Sequence, residues 1–83
     1  MRKSVAFFAA SMEMVLRQND YKSGWREMSN AQLLCALKKE VDELQEAIEK
    51  GELVFIIKES VDVANFAHMI ADNARVKISM GGK

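Results

Sequence analysis

Glu59 and Asp62 interrupt an apolar stripe. Phe55, Glu59, Asp62, Phe66 and Met69 recur at alternating spacings of 4 and 3, which puts all five on one side of a helix. Bulky hydrophobes at both ends mark that side as a packing surface. Two carboxylates left there unpaired cost roughly several kcal/mol. They need a cation, an ion-pair partner or a wet cavity. Upstream, Glu40-Val-Asp-Glu43 forms a second carboxylate pair at i, i+3 spacing, so its members also point the same way. Two such pairs on neighbouring helices can converge four carboxylates on one point. Like charges repel, and a cation is the usual reason to bring them together. Hard oxygen ligands suit Mg²⁺ or Mn²⁺, ions that typically handle phosphates.

The competing reading is a solvated acidic face. Position around the helix argues against it. Leu34, Leu37, Val41, Leu44 and Ile48 make the main apolar seam expected for the second helix, and Lys38, Lys39, Asp42, Glu46 and Glu49 lie opposite or on its flank. Glu40 and Glu43 share a different stripe with Leu33, Ala36 and Ala47. Small residues there leave room for a neighbouring helix or a ligand. Asn65 follows Asp62 by one turn and offers a further oxygen ligand or a group that holds one. Lys58 directly precedes Glu59 and is the alternative source of neutralising charge.

The chain of 83 residues has the size of one small domain, 1–83. A first helix is expected from Ser4 to Gln18, with Val5, Phe8, Met12, Val15 and Leu16 on its apolar face. Tyr21 to Met28 reads as a loop broken by Gly24. Ser29-Asn-Ala-Gln32 has the form of a capping box opening the second helix, and Gly51 is a natural stop. The third helix is expected from Leu53 to Ala74, followed by a loose tail, 76–83. The short connection at Gly51 makes helices two and three antiparallel neighbours, which sets the two carboxylate pairs at similar depth. The expected fold is therefore all-α: an antiparallel helical hairpin plus an N-terminal helix. Because the third helix is apolar almost all round, the bundle is expected to be completed by oligomerisation through helices one and three, as a homodimer or homotetramer.

Composition excludes several classes. Twelve basic and twelve acidic side chains balance, which argues against binding to a nucleic-acid polymer or a membrane surface. Lys58, Glu59 and Asp62 interrupt the third helix as a membrane span, and no signal peptide is evident. The single cysteine, Cys35, fits a reducing cytoplasm and reads as a buried core thiol. One histidine, His68, without a partner at ligand spacing gives no zinc site. In the loop, Lys22 could take a phosphate. Trp25 could stack on a base or plug the core between helices.

The doubled motif, Lys39-Glu-Val-Asp-Glu-Leu-Gln-Glu-Ala47 and Glu59-Ser-Val-Asp-Val-Ala-Asn-Phe66, resembles the all-alpha nucleoside triphosphate pyrophosphohydrolases. The nearest likeness is to the short MazG-like proteins of phages and mobile elements. Lys22-x-x-Trp25 extends that likeness, which runs from about Lys22 to Asn73. The resemblance implies a hydrolase that cleaves a nucleoside triphosphate, a dNTP or a modified NTP, to monophosphate and pyrophosphate. It implies Mg²⁺, with Mn²⁺ as a substitute, held by Glu40, Glu43, Glu59 and Asp62. Those four would be the catalytic residues, and Lys22, Trp25 and Asn65 would contact substrate. The chain departs from the family where members carry a fourth helix or further basic residues; beyond Asn73 it has Arg75, Lys77 and Lys83. A helical interaction module without catalysis, or a nucleotide sensor that keeps the fold, is the alternative from another class.

Overall fold

A computed structural model describes residues 1–20 and 24–82. It is all-α, with helices α1 (Lys3–Gln18), α2 (Asn30–Lys50) and α3 (Leu53–Ser79), and a single 3-10 turn at Trp25–Glu27. No strand occurs among the described residues. Of the expected loop, residues 21–23, including Lys22, lie outside the described residues.

The ends of the helices follow from their local chemistry. At the start of α2 the Ser29 hydroxyl accepts from the Gln32 amide at 3.1 Å, and the Ser29 amide donates to the Gln32 side-chain oxygen at 2.9 Å. Both halves of the capping box are thus formed. At the other end, Gly51 takes a left-handed conformation with φ of 68°. The amides of Glu52 and Gly51 close back on the carbonyls of Ala47 and Ile48, the Schellman arrangement that turns the chain sharply. The α2–α3 connection is therefore two residues long, and the helices pack along each other as a hairpin.

The same device corrects the expected tail. Helix α3 does not stop at Ala74 but continues to Ser79. Gly81, with φ of 77°, and Gly82 close its last turn onto the carbonyls of Ile78 and Lys77. The two glycines that read as a loose tail are a helix cap. Lys77 in the last turn adds a favourable charge at the helix C-terminus.

The core of the hairpin runs along the stripe that carries the acids. Leu33 and Ala47 are the buried residues of α2, while Leu37, Glu40 and Leu44 between them are half-buried. Leu34, Val41 and Ile48, expected in the main seam, are exposed instead. The rotation follows from α3, which meets α2 along the Leu33–Ala47 line and leaves the Leu34 line outside. Nor is α3 covered all round: Leu53, Val54, Phe55 and Ile57 in its first turns are at least half exposed. Cys35 is an exposed thiol, not a core one.

Helix α1 and the 3-10 turn both pack on α3, and α1 makes no comparable contact with α2. Two elements thus sit on one helix without meeting, and a cleft opens between them. This register predicts unequal costs for neighbouring leucines. Leu33→Ala, at a fully buried site, should lower the free energy of unfolding by about 2–5 kcal/mol. Leu34→Ala should cost about 1 kcal/mol or less. Urea unfolding of the two variants measures the difference, and equal losses would contradict the register.

Candidate functional site

The hairpin brings the two carboxylate pairs together. One oxygen each from Glu40, Glu43 and Glu59 lies within 4.8 Å of the others. Asp62 stands outside this triad but is tied to it through Lys58, whose ammonium lies 3.4 Å from Glu59 Oε1 and 3.2 Å from Asp62 Oδ2. Three of the four residues expected to converge, Glu40, Glu43 and Glu59, thus lie together, and Lys58 is paired with Glu59 and Asp62. Neutralisation by Lys58 is incomplete. Glu40 Oε2 and Glu59 Oε2 are buried without a hydrogen-bond partner, although Glu59 is only 9% exposed.

The crowding shows in the protonation of Glu40. Its burial, together with the Glu43 and Asp62 carboxylates and Glu59, raises its pKa to about 7. The charged form is disfavoured by desolvation and by like charge at once. The neighbouring Lys58 is shifted upwards, chiefly by its hydrogen bond to Asp62, so its ammonium holds its proton firmly.

Two openings reach the cluster. Glu43 and Glu59 line a smaller one of about 310 Å³ near the hairpin turn. Glu40 and Asp62 line a larger one of about 600 Å³, the cleft between α1 and α2. A cavity of this size falls in the range of roughly 300–1,000 Å³ usual for small-molecule sites. Its walls divide by chemistry. Val15, Leu16, Phe66 and Met69 supply apolar surface, Glu40 and Asp62 the acidic edge, and Trp25 an aromatic face. Asn65 lies in the lining at 3% exposure, and its amide donates to the Met12 carbonyl at 3.4 Å while its side-chain oxygen has no partner.

Trp25 is anchored through its polar edge. The indole is half-buried, and its Nε1–H donates to Asp72 Oδ2 at 3.1 Å. Its ring meets His68 edge-on, with centroids 5.4 Å apart. Arg26 pairs with the same Asp72 oxygen at 2.8 Å, and the Asn73 side chain donates to the Trp25 carbonyl at 3.0 Å. Arg75, one turn along α3, takes the other oxygen of Asp72 at 2.8 Å. The Arg75, Trp25 and Arg26 hydrogen bonds, in that order, hold the Asp72 carboxyl far below the usual carboxylate range.

Sequence reasoning missed Asp72, Arg26 and Asn73. A signal existed for the first: Asp72 lies seven residues past Asn65, on the same side of α3. Its partners on the 3-10 turn, 46 and 47 positions away, leave no periodic trace.

The chain is 36% identical over 69 residues to an uncharacterized protein of Archaeoglobus fulgidus, a match covering 83% of this chain and 74% of that protein. The two belong to one family. No protein-family model matches the chain, and no solved structure matches it.

Two outcomes follow from the electrostatics and the Trp25 anchor. Because the folded-state pKa of Glu40 lies above its ordinary value of 4.5, the folded protein binds the proton more tightly than the unfolded chain does. That contribution to stability is complete below pH 4.5 and is lost as pH rises through about 7. Metal-free protein should therefore lose stability over that window, and Glu40→Gln should flatten the decline in a series of urea titrations. Separately, Asp72→Ala should lower the melting temperature and shift the emission of Trp25, the sole tryptophan, to longer wavelength. Unchanged fluorescence would remove Asp72 as its anchor.

Proposed function

We propose that this protein is a MazG-like nucleoside triphosphate pyrophosphohydrolase, cleaving a dNTP or modified NTP to monophosphate and pyrophosphate with Mg²⁺ or Mn²⁺. The observation that carries the reading is the carboxylate triad, of which Glu40 lines a cleft large enough for a nucleotide and Glu43 and Glu59 line the smaller opening beside it. The residues suit a divalent ion. Three carboxylates converge, two of them with buried oxygens that have no hydrogen-bond partner among the described residues, and all are hard oxygen donors. Glu40, Glu43 and Glu59 would hold the ion, with Asp62 beside them.

A divalent ion at this position supplies charge neutralisation to phosphate oxygens and lowers the pKa of water. The chain supplies the rest. The apolar wall of Val15, Leu16, Phe66 and Met69 takes the nucleoside and excludes water from it. Trp25 presents its ring to the base, held at the angle set by Asp72. Asn65 offers an unpaired acceptor in the cavity wall to a polar group of the substrate. Glu43, exposed and open to the smaller cavity, orients the attacking water and takes its proton. Displacement at the phosphorus next to the nucleoside then releases pyrophosphate.

Protomer association belongs to the same reading. Phe7, Met14, Leu53 and Val54 are all more than 60% exposed, and a homodimer or homotetramer would cover such surface. No described helix is long and apolar enough to cross a membrane. A single unpaired cysteine is consistent with a reducing cytoplasm.

The test is hydrolysis of a panel of canonical and modified triphosphates with Mg²⁺, scored for monophosphate and pyrophosphate. Release of pyrophosphate from at least one is expected. Metal binding is checked separately, since a ligand of the native state raises its stability. Glu59→Gln and Asp62→Asn should abolish stabilisation by Mn²⁺ in thermal unfolding, while Glu49→Gln, on the solvated side, should not. Metal-dependent stabilisation with no hydrolysis of any triphosphate would make the protein a sensor. Equal effects of all three substitutions would remove the metal site. Light scattering that finds a stable monomer at micromolar concentration would remove the oligomer.

A further inference from the structure

We infer that Lys58 is the phosphate-binding cation of the large cleft, held in reserve by Glu59 and Asp62 until a divalent ion takes over their charge. The inference rests on the proposed function and names the group that meets the triphosphate there.

Among the described residues, Lys58 is the one basic side chain in the lining of the 600 Å³ cleft. A triphosphate entering that cleft brings several negative charges against an edge that already holds Glu40 and Asp62. Two other described cations are committed elsewhere. Arg26 is paired to Asp72 at 2.8 Å, and Arg75 holds the second oxygen of the same carboxylate. Lys58 is held more loosely. Its contacts of 3.4 and 3.2 Å exceed the roughly 2.7–2.9 Å of a tight charge-assisted hydrogen bond. Lys50, by comparison, lies 2.7 Å from Glu46. The Lys58 side chain is 58% exposed, so it can swing without disturbing the core.

One of the two acids that hold Lys58, Glu59, also has unmet demand. Glu59 keeps one buried oxygen without a partner, and the buried Asn65 in the same cleft keeps another. A divalent ion at the cluster satisfies the carboxylates better than one ammonium does, because it brings twice the charge to the same oxygens. It also repels the ammonium. With Glu59 taken up by an ion, Lys58 would be left with Asp62 alone, its 3.2 Å partner outside the triad, at the edge of the cleft where a phosphate oxygen can compete for it. A lysine binds phosphate as a mobile point charge, which suits a group that must move.

This exchange predicts changes of opposite sign in one variant. Lys58→Gln removes the competitor of the ion, so Mn²⁺ alone should bind about two- to fivefold tighter than to wild type, on the scale of an exposed ion pair. The same variant saturated with Mn²⁺ should bind inorganic tripolyphosphate about tenfold more weakly, on the scale of a charged hydrogen bond. Lys58→Arg, which keeps the charge, should retain most of the tripolyphosphate affinity. Calorimetric titration measures all three proteins, and tripolyphosphate keeps base preference out of the comparison. A purely structural ion pair would leave tripolyphosphate binding unchanged, and that result, with Mn²⁺ bound, overturns the assignment of Lys58 alone. Parallel weakening of both ligands in Lys58→Gln also overturns it. Wild-type protein that binds no Mn²⁺ overturns the proposed function and this inference with it.

Discussion

Burial of Glu59 between α2 and α3 is the constraint on which the site depends. An apolar residue at that position would extend the Phe55–Phe66 stripe and pack the hairpin more simply. The carboxylate instead sits 9% exposed with one oxygen unsatisfied, and leaving a charged group so placed is costly. The chain offsets the cost in two partial ways. Lys58 reaches in from solvent, and Glu40 gives up its charge near neutral pH, where its pKa of about 7 lies. Neither completes the site. Protonation removes a charge without satisfying every oxygen, and the Lys58 ammonium stands 3.4 and 3.2 Å from its two carboxylates, longer than a tight charged hydrogen bond. An arrangement this strained at rest becomes favourable when a cation of higher charge arrives, and that is the physical basis for the proposed metal dependence.

Helix α3 converts that local constraint into a cavity. Among the described residues it packs on both other helices, which do not pack on each other, and it presents different residues to each. Glu59 sits on the side packed against α2, and Asn65 on the side packed against α1, where its amide reaches the Met12 carbonyl. Between the two lie Asp62, Phe66 and Met69, which therefore face the gap and line it. The 3-10 turn closes one end of the gap because Asp72, farther along α3, fastens Trp25 and Arg26. One helix thus carries the acidic edge, part of the apolar wall and the anchor of the aromatic face. A slip of α3 by one residue would turn all three away together.

How far the sequence reveals this depends on the range of each interaction. The capping box, Gly51 and the antiparallel hairpin are legible because each is written within a few residues. The convergence of Glu40, Glu43 and Glu59 is legible because i, i+3 spacing on two helices joined by a short turn leaves little freedom. The main seam of α2 is a different matter. Leu34, Val41 and Ile48 satisfy the helical period as well as Leu33, Leu37, Leu44 and Ala47 do. Which stripe faces α3 depends on the partner helix, not on α2 alone. The Gly81-Gly82 cap is missed because glycines near a chain end read equally as a stop or as a loose tail. The hold of Asp72 on Trp25 is missed because it joins segments 47 positions apart.

The misplaced stripe bears on assembly. Leu34, Val41 and Ile48 recur every seven residues, each more than 40% exposed, and so form a straight line along α2. On the hairpin they lie away from Glu43, on the face opposite the acidic opening. On the third helix Ile57 and the small residues Ala67 and Ala71 are exposed as well. Small side chains permit close approach of another helix, and the apolar line gives it something to bury. If protomers associate as proposed, this face can be covered without closing either opening of the site. Phe7 and Met14 on α1 and Leu53 and Val54 at the start of α3 are exposed as well, a second apolar surface that lies outside the lining of the large cleft.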